Sequence, residues 1–340
     1  MSLYYFYIII HKTSTILIEP NKMWFLYLIL IILIYKLYNK ITCGICKSDA
    51  KLHNKVAIVT GANTGIGYET ARDFALRGAR VIIACRDINK ARVAQTRIMY
   101  ETRNSNVLYR HLDLSSLRSV RAFARTILSS ERRLDILVNN AGTGKLNNEM
   151  TEDGIVEEMQ INHFAPFLLT KLLLPLLQSS SPSRIVVVSS MMHKFGKVDI
   201  DTMHLPAPSP IKHSLMYSNS KLCNILFAME LSRRVSGTGV TVNCLHPGAV
   251  STDIFRNRSP FVRFLINVFF KSAWEGAQTS IHLSVSEDVA DISGKYFVDC
   301  KPVQASSKAY DEQLGKALWN VSEKLVRPFF EDLFMLPCLF

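Results

Sequence analysis

Tyr217-Ser-Asn-Ser-Lys221 sets a phenol and an ammonium four residues apart, which on a helix is one turn along the same face. A phenol titrates at about 10 in water and transfers protons poorly at neutral pH. A nearby cation stabilises phenolate and draws that pKa down, so the pair suits general acid–base work. Tyr-x3-Lys spacing alone is common; the residues before it make it informative. Thr60-Gly61-Ala62-Asn63-Thr64-Gly65-Ile66-Gly67 follows a β-branched run, Val56 to Val59, and enters an amphipathic stretch, Tyr68 to Leu76. A strand that feeds a helix through three glycines suits a dinucleotide. Glycine allows the tight turn and close backbone approach to a pyrophosphate, and the helix N-terminus adds partial positive charge. The spacing is Gly-x3-Gly-x-Gly, a variant of the Gly-x-Gly-x2-Gly fingerprint.

These residues need strands to present them. Val81–Cys85, Val107–Leu112, Ile136–Val138, Ile185–Val188, Val240–Leu245 and Tyr296–Val298 read as strands, with helical patterns such as Leu117–Leu128 and Lys221–Arg234 between them. Continuous apolar strands alternating with helices predict an α/β, Rossmann-type doubly wound parallel sheet with helices on both faces. Such sheets bind ligands at the carboxyl ends of their strands. There the second strand ends at Cys85-Arg86, where a ribose-binding carboxylate would otherwise stand. A guanidinium attracts a 2′-phosphate, which favours NADP(H) over NAD(H); the other reading is a solvent-facing arginine beside Asp87. Asp113, after the third strand, either accepts from an adenine amino group or caps the next helix. Asn139-Asn140-Ala141-Gly142 ends the fourth strand, with small residues for close approach and amides to tie loops.

Taken together, the glycine loop, Asn139-Asn-Ala-Gly142, Asn162, Ser190, Tyr217-x3-Lys221 and Pro247-Gly248-x3-Thr252 resemble the short-chain dehydrogenase/reductase family over residues 52–325. Ala84-Cys-Arg-Asp87, Ser220-Lys-Leu-Cys-Asn-Ile-Leu226, Glu275-Gly-Ala-Gln-Thr279 and Ser293-Gly-Lys-Tyr-Phe297 narrow the resemblance to membrane-anchored retinol dehydrogenases, which use NADP(H) on retinoids and other lipophilic alcohols or aldehydes. The resemblance implies that Tyr217 exchanges the proton with the substrate oxygen, Lys221 lowers its pKa and holds the nicotinamide ribose, Ser190 rather than Ser189 binds the substrate oxygen, and Asn162 holds a water beside Lys221. Alongside Tyr217 and Lys221, Gly61, Asn63, Thr64, Gly65, Ile66, Gly67, Arg86, Asp113, Asn140, Gly142, Pro247, Gly248 and Thr252 are the expected cofactor contacts. Ser190 and Tyr217 are separated by a long insert that holds the Pro-rich loop Leu205–Pro210.

Composition sets the outer bounds. Forty Lys and Arg against 28 Asp and Glu give a net charge of +12, which suits anionic lipid or a phosphorylated cofactor and equally serves solubility. No basic run interleaved with aromatics points to nucleic acid. Seven scattered cysteines read as reduced thiols in a cytosol-facing domain, and neither Cys43-x2-Cys46 nor the spacing of His193, His204, His213 and His246 makes a metal motif.

Residues 23–42 are apolar from Met23 to Tyr35 and carry Trp24, Tyr27, Tyr35 and Tyr38, which predicts a transmembrane anchor. Lys36, Lys40, Lys47 and Lys51 follow it and place the large domain in the cytosol. Residues 1–22 read as an extension upstream of Met23, 43–51 as a linker, 52–325 as the catalytic domain and 326–340 as a tail. Phe261, Phe264, Leu265, Val268 and Phe269 predict that 253–275 is a substrate lid or a membrane-surface helix. The expected protein is a single-pass endoplasmic reticulum enzyme, with a homodimer left open. It would interconvert retinol and retinal; the alternatives are a reductase of steroids or lipid-peroxidation aldehydes, or a non-catalytic NADP-binding membrane protein.

Overall fold

The computed structural model describes residues 20–144, 148–251, 259, 266 and 269–330. Eight strands form one sheet in the order β3-β2-β1-β4-β5-β6-β7-β8. They are β1 (Val56–Thr60), β2 (Arg80–Cys85), β3 (Val107–His111), β4 (Ile136–Asn139), β5 (Ser183–Val188), β6 (Val240–His246), β7 (Tyr296–Val298) and β8 (Lys301–Val303). The first seven are parallel, and β8, which the sequence pattern does not announce, returns antiparallel on β7. Its exposed Lys-Pro-Val has no apolar signature, and Pro is tolerated there because the strand is an edge.

Strand side chains alternate between two cores. Val56 and Ile58 point to one, with Ile82, Leu137, Ile185 and Phe167; Ala57 and Val59 point to the other, with Val81, Ile83, Val138 and Phe74. Helices α2 (Gly65–Leu76) and α3 (Ile88–Thr102) cover the second face with α9 (Ala273–Val285). Helices α4 (Leu117–Ser130), α6 (Ala165–Ser179) and α8 (Met216–Arg234) cover the first, backed by α10 (Glu312–Phe330), which runs past the boundary expected at 325. Between β3 and β4 the chain crosses back to lie beside β1. That reversal opens a crevice at the carboxyl ends of β1 and β4.

Helix α6 is preceded by the short α5 (Glu157–Met159) and a π-helical turn, Gln160–Phe164. The sequence suggests a bend at Pro166. Pro166 is the second residue of α6, within a helical run continuous from α5, and the widened turn lies just before it, where the ladder accommodates a residue with no N–H to give. The Pro-rich loop ends by starting the short α7 (Pro210–Ser214).

The segment expected to anchor the protein is helical, as α1 (Pro20–Thr42), with Leu30, Ile31, Leu33, Ile34, Leu37 and Ile41 exposed. Among the described residues, however, no helix is long and apolar enough to cross a membrane, so the expected span lacks structural support. The stretch after it is docked on the body: Gly44 N donates to Asp299 Oδ1 at 3.2 Å, Cys46 N to Gln278 Oε1 at 3.2 Å, and Arg77 reaches the carbonyls of Ser48 and Ala50. Thr252, Phe261, Phe264, Leu265 and Val268 lie outside the described residues, as do 1–19 and 331–340.

Candidate active site

The glycine loop joins β1 to α2 at the crevice. Gly61 and Gly65 take left-handed backbone conformations (φ +66° and +59°) that favour glycine. At Gly67 a Cβ would stand 2.5 Å from the Gly61 carbonyl oxygen and from Asn140 Nδ2, so the loop closes on itself only without a side chain. Gly276 plays the matching part on α9, where a Cβ would meet Val250 at 2.6 Å and Ile66 at 3.2 Å. Thr60, which motif reasoning passed over, ties the parts together: its Oγ1 accepts from the N–H groups of Asn140 and Ala141, both at 3.0 Å. Asn140 returns its Nδ2 to the Thr60 carbonyl at 2.8 Å. A hydroxyl at the last position of a buried strand was the available signal.

This cradle fits a dinucleotide. The N-terminus of a twelve-residue helix with no acidic residue in its first turn opens onto it. A cavity of about 470 Å³ lies against Asn63, Thr64 and Gly65 and runs outward past Tyr68, Lys90 and Arg97. Tyr217, Lys221 and Ser190 do not line it. Arg86 is exposed at the end of β2, and among the described residues no hydrogen bond or ion pair engages it. The neighbouring Asp87 caps α3 by accepting from Lys90 N. Asp113 accepts from both N–H and Oγ of Ser115, while Ser116 caps α4, so the carboxylate closes a turn rather than the helix.

Tyr217 and Lys221 share α8, and Lys221 Nζ lies 5.5 Å from the phenol ring centroid. Ser189 is buried and donates to the Lys221 carbonyl at 2.7 Å; Ser190, next along, reaches the Tyr217 hydroxyl and accepts from Met192 N. Asn162 is 1% exposed, and its amide clamps Thr143 in both directions (2.8 Å each) and reaches Ser220 Oγ at 3.0 Å. Gly142 sits over this group, where a Cβ would lie 3.1 Å from Lys221 Nζ and 3.2 Å from Asn162 Oδ1. Asn162, Ser190, Tyr217, Lys221 and Gly142 thus converge at the ends of β4 and β5. Gly248 turns with φ +93° after Pro247, close to Lys271, which is ion-paired with Asp299.

The electrostatics depart from expectation at Tyr217. Burial raises its pKa, the Ser190 hydrogen bond lowers it, and the charge of Glu158 raises it further. The ammonium lies over the ring rather than at the oxygen, so it does not offset the lost solvation. Burial draws Lys221 down to about 8, opposed by Glu158. Glu158 is the second residue that sequence reasoning missed; nothing in its local pattern separates it from Glu157.

The four histidines show no metal site: among the described residues no cluster of His, Cys, Asp or Glu could hold an ion. His193 pairs Nδ1 with the Ser190 carbonyl at 2.7 Å and accepts from Ser306 N at Nε2, bracing the loop that carries Ser190.

Comparison with known proteins agrees with this architecture. The profile described as short chain dehydrogenase matches residues 55–262. Retinol dehydrogenase 12 of Mus musculus is 45% identical over 285 residues, covering 83% of this chain and 90% of that one. Retinol dehydrogenase 14 of Homo sapiens is 44% identical, covering 81% and 87%. Among solved structures, an uncharacterized protein from Mycobacterium paratuberculosis superposes with a TM-score of 0.67 at 32% identity, covering 84% of this chain and 98% of that one. A short chain dehydrogenase from Escherichia coli CFT073, complexed with NADPH, gives 0.59 at 26% identity, covering 75% and 100%. With a crossover crevice, a glycine cradle and a tyrosine–lysine helix in one sheet, this chain belongs to the short-chain dehydrogenase/reductase family of nicotinamide-dependent oxidoreductases.

Proposed function

We propose that the protein is an NADP(H)-dependent oxidoreductase that interconverts a lipophilic alcohol and its aldehyde, with retinol and retinal as the substrate pair. The observation that carries this is the convergence of Tyr217, Ser190, Lys221 and Asn162 beside the glycine cradle. Similarity to retinol dehydrogenases supports the substrate class. The unengaged guanidinium of Arg86, in place of a ribose-binding acid, supports the 2′-phosphate.

The bound nicotinamide supplies or accepts the hydride. The chain's own residues handle the proton. A phenol whose pKa is raised keeps its proton through neutral pH, which is the form needed to protonate a carbonyl oxygen. Ser190 offers a hydroxyl to that same oxygen and orients it toward Tyr217. Lys221 holds positive charge under the phenol and presents donors to ribose hydroxyls. Asn162 keeps Thr143 and the loop after β4 in place. The exposed apolar residues of α1 support a contact with the cytosolic surface of the endoplasmic reticulum membrane.

The deciding experiment compares all-trans-retinal reduction with NADPH and NADH, using Tyr217→Phe as control. A preference for NADPH on the order of tenfold or more and a loss of roughly 10²–10⁴ in kcat for the variant are expected. Equal use of the two cofactors would remove the role of Arg86, and undiminished turnover in the variant would remove that of Tyr217.

A further inference from the structure

Glu158 is 2% exposed, and its Oε1 has no hydrogen-bond partner. A buried carboxyl left in that state costs stability, so its retention asks for a reason. It lies in α5, one helical turn before Asn162, and α5 packs on α8. Across that contact lies Lys221, 4% exposed, whose Nζ donates only a long 3.3 Å bond to the Val188 carbonyl among the described residues. An under-satisfied acid and an under-satisfied base are therefore both buried on two helices that pack together, near enough for each charge to act on the other.

We propose that Glu158 is a positioning residue for proton transfer: once ionised, its carboxylate is the buried counter-charge that holds Lys221 as an ammonium beside Tyr217. This rests on the reductase reading for its consequence in turnover, though not for the pairing itself. The titratable groups around Glu158 are Glu157 on its own helix, Lys221 and Tyr217 on α8, and His204, whose carbonyl accepts from Val156 N. Burial pushes Glu158 up to about 8, with Lys221 pulling the other way and Glu157 adding to the rise. Below that pH the acid is neutral. As pH climbs, Glu158 ionises and raises the proton affinity of Lys221 at the point where the buried amine would otherwise discharge. Glutamine imitates the neutral acid at every pH, so it removes this protection and lets Lys221 discharge earlier.

The test uses the full chain as wild type, Glu158→Gln and Glu158→Asp. First, the Lys221 side chain is titrated by NMR on ¹³Cε-lysine-labelled protein without cofactor, its signal assigned by its loss in Lys221→Met. The midpoint should fall in Glu158→Gln by about one pH unit, a tenfold change in the acid constant, and recover in Glu158→Asp. Second, the alkaline limb of kcat/KM for all-trans-retinal reduction should move to lower pH by a similar interval. A limb that stays in place while the whole profile drops would show a merely structural residue and overturn the proposal, as would an unmoved Lys221 midpoint. A shifted midpoint in a protein that reduces no retinal would uphold the pairing and sink the reductase reading.

Discussion

Ser189 Oγ donates to the backbone carbonyl of Lys221 at 2.7 Å, and this bond fastens the helix of the tyrosine–lysine pair to the end of β5. It explains why two adjacent serines differ: one is spent on the scaffold, and the next is left facing Tyr217. Ser189→Ala removes a buried hydrogen bond to a carbonyl that keeps its place in the ladder of α8, at a cost of about 0.5–1.5 kcal/mol. Chemical denaturation should show that loss, and kcat should fall because α8 shifts relative to Ser190. A variant as stable as wild type would show that the bond does not hold the helix.

Gly67 is where the cradle is least forgiving. A methyl group there meets the Gly61 carbonyl at 2.5 Å, a backbone atom that cannot swing away. Gly67→Ala should weaken NADPH binding by at least about tenfold while leaving the sheet folded, since a shift of the loop displaces the N–H groups that face a pyrophosphate. Fluorescence titration with NADPH measures it, and unchanged affinity would place the nucleotide elsewhere.

Thr60 serves two backbone donors through one oxygen. Thr60→Val keeps the shape and removes that acceptor, so Ala141 N loses its partner, while Asn140 N keeps its bond to the Val138 carbonyl at 3.0 Å. Stability should fall by roughly 1–3 kcal/mol, and hydrogen exchange should quicken at Ala141 more than at Asn140. Protection of Ala141 equal to wild type would assign it another acceptor.

His163 ties α10 to the widened turn through Ser322 Oγ at 2.8 Å, and burial lowers its pKa to about 3. The ordinary value is about 6.5, so between these values the unfolded chain binds the proton and the folded one does not. Stability attributable to this residue is therefore present above about pH 6.5 and lost as pH falls toward 3, by up to about 1.4 kcal/mol per unit. His163→Gln should flatten that part of the stability profile. An identical acid slope in the variant would assign it to other groups.

The chemistry-bearing residues could be named without coordinates because each belongs to a local pattern. A glycine trio between a strand and a helix, a Tyr-x3-Lys turn and β-branched runs at regular intervals all reflect rules that act within about a dozen residues. The parallel sheet followed from those runs, whereas β8 did not, since an exposed edge strand has no apolar face to record. What only the tertiary structure decided depends on neighbours distant in the chain. It assigned Ser189 to the scaffold, made Thr60 the tie beneath Asn140, turned Asp113 inward on Ser115, and buried Glu158 on a helix packed against that of Lys221. It also raised the Tyr217 pKa where the spacing predicted a fall. Spacing brings a charge close, but burial decides how much solvation a phenolate loses, and burial is a property of the packed fold.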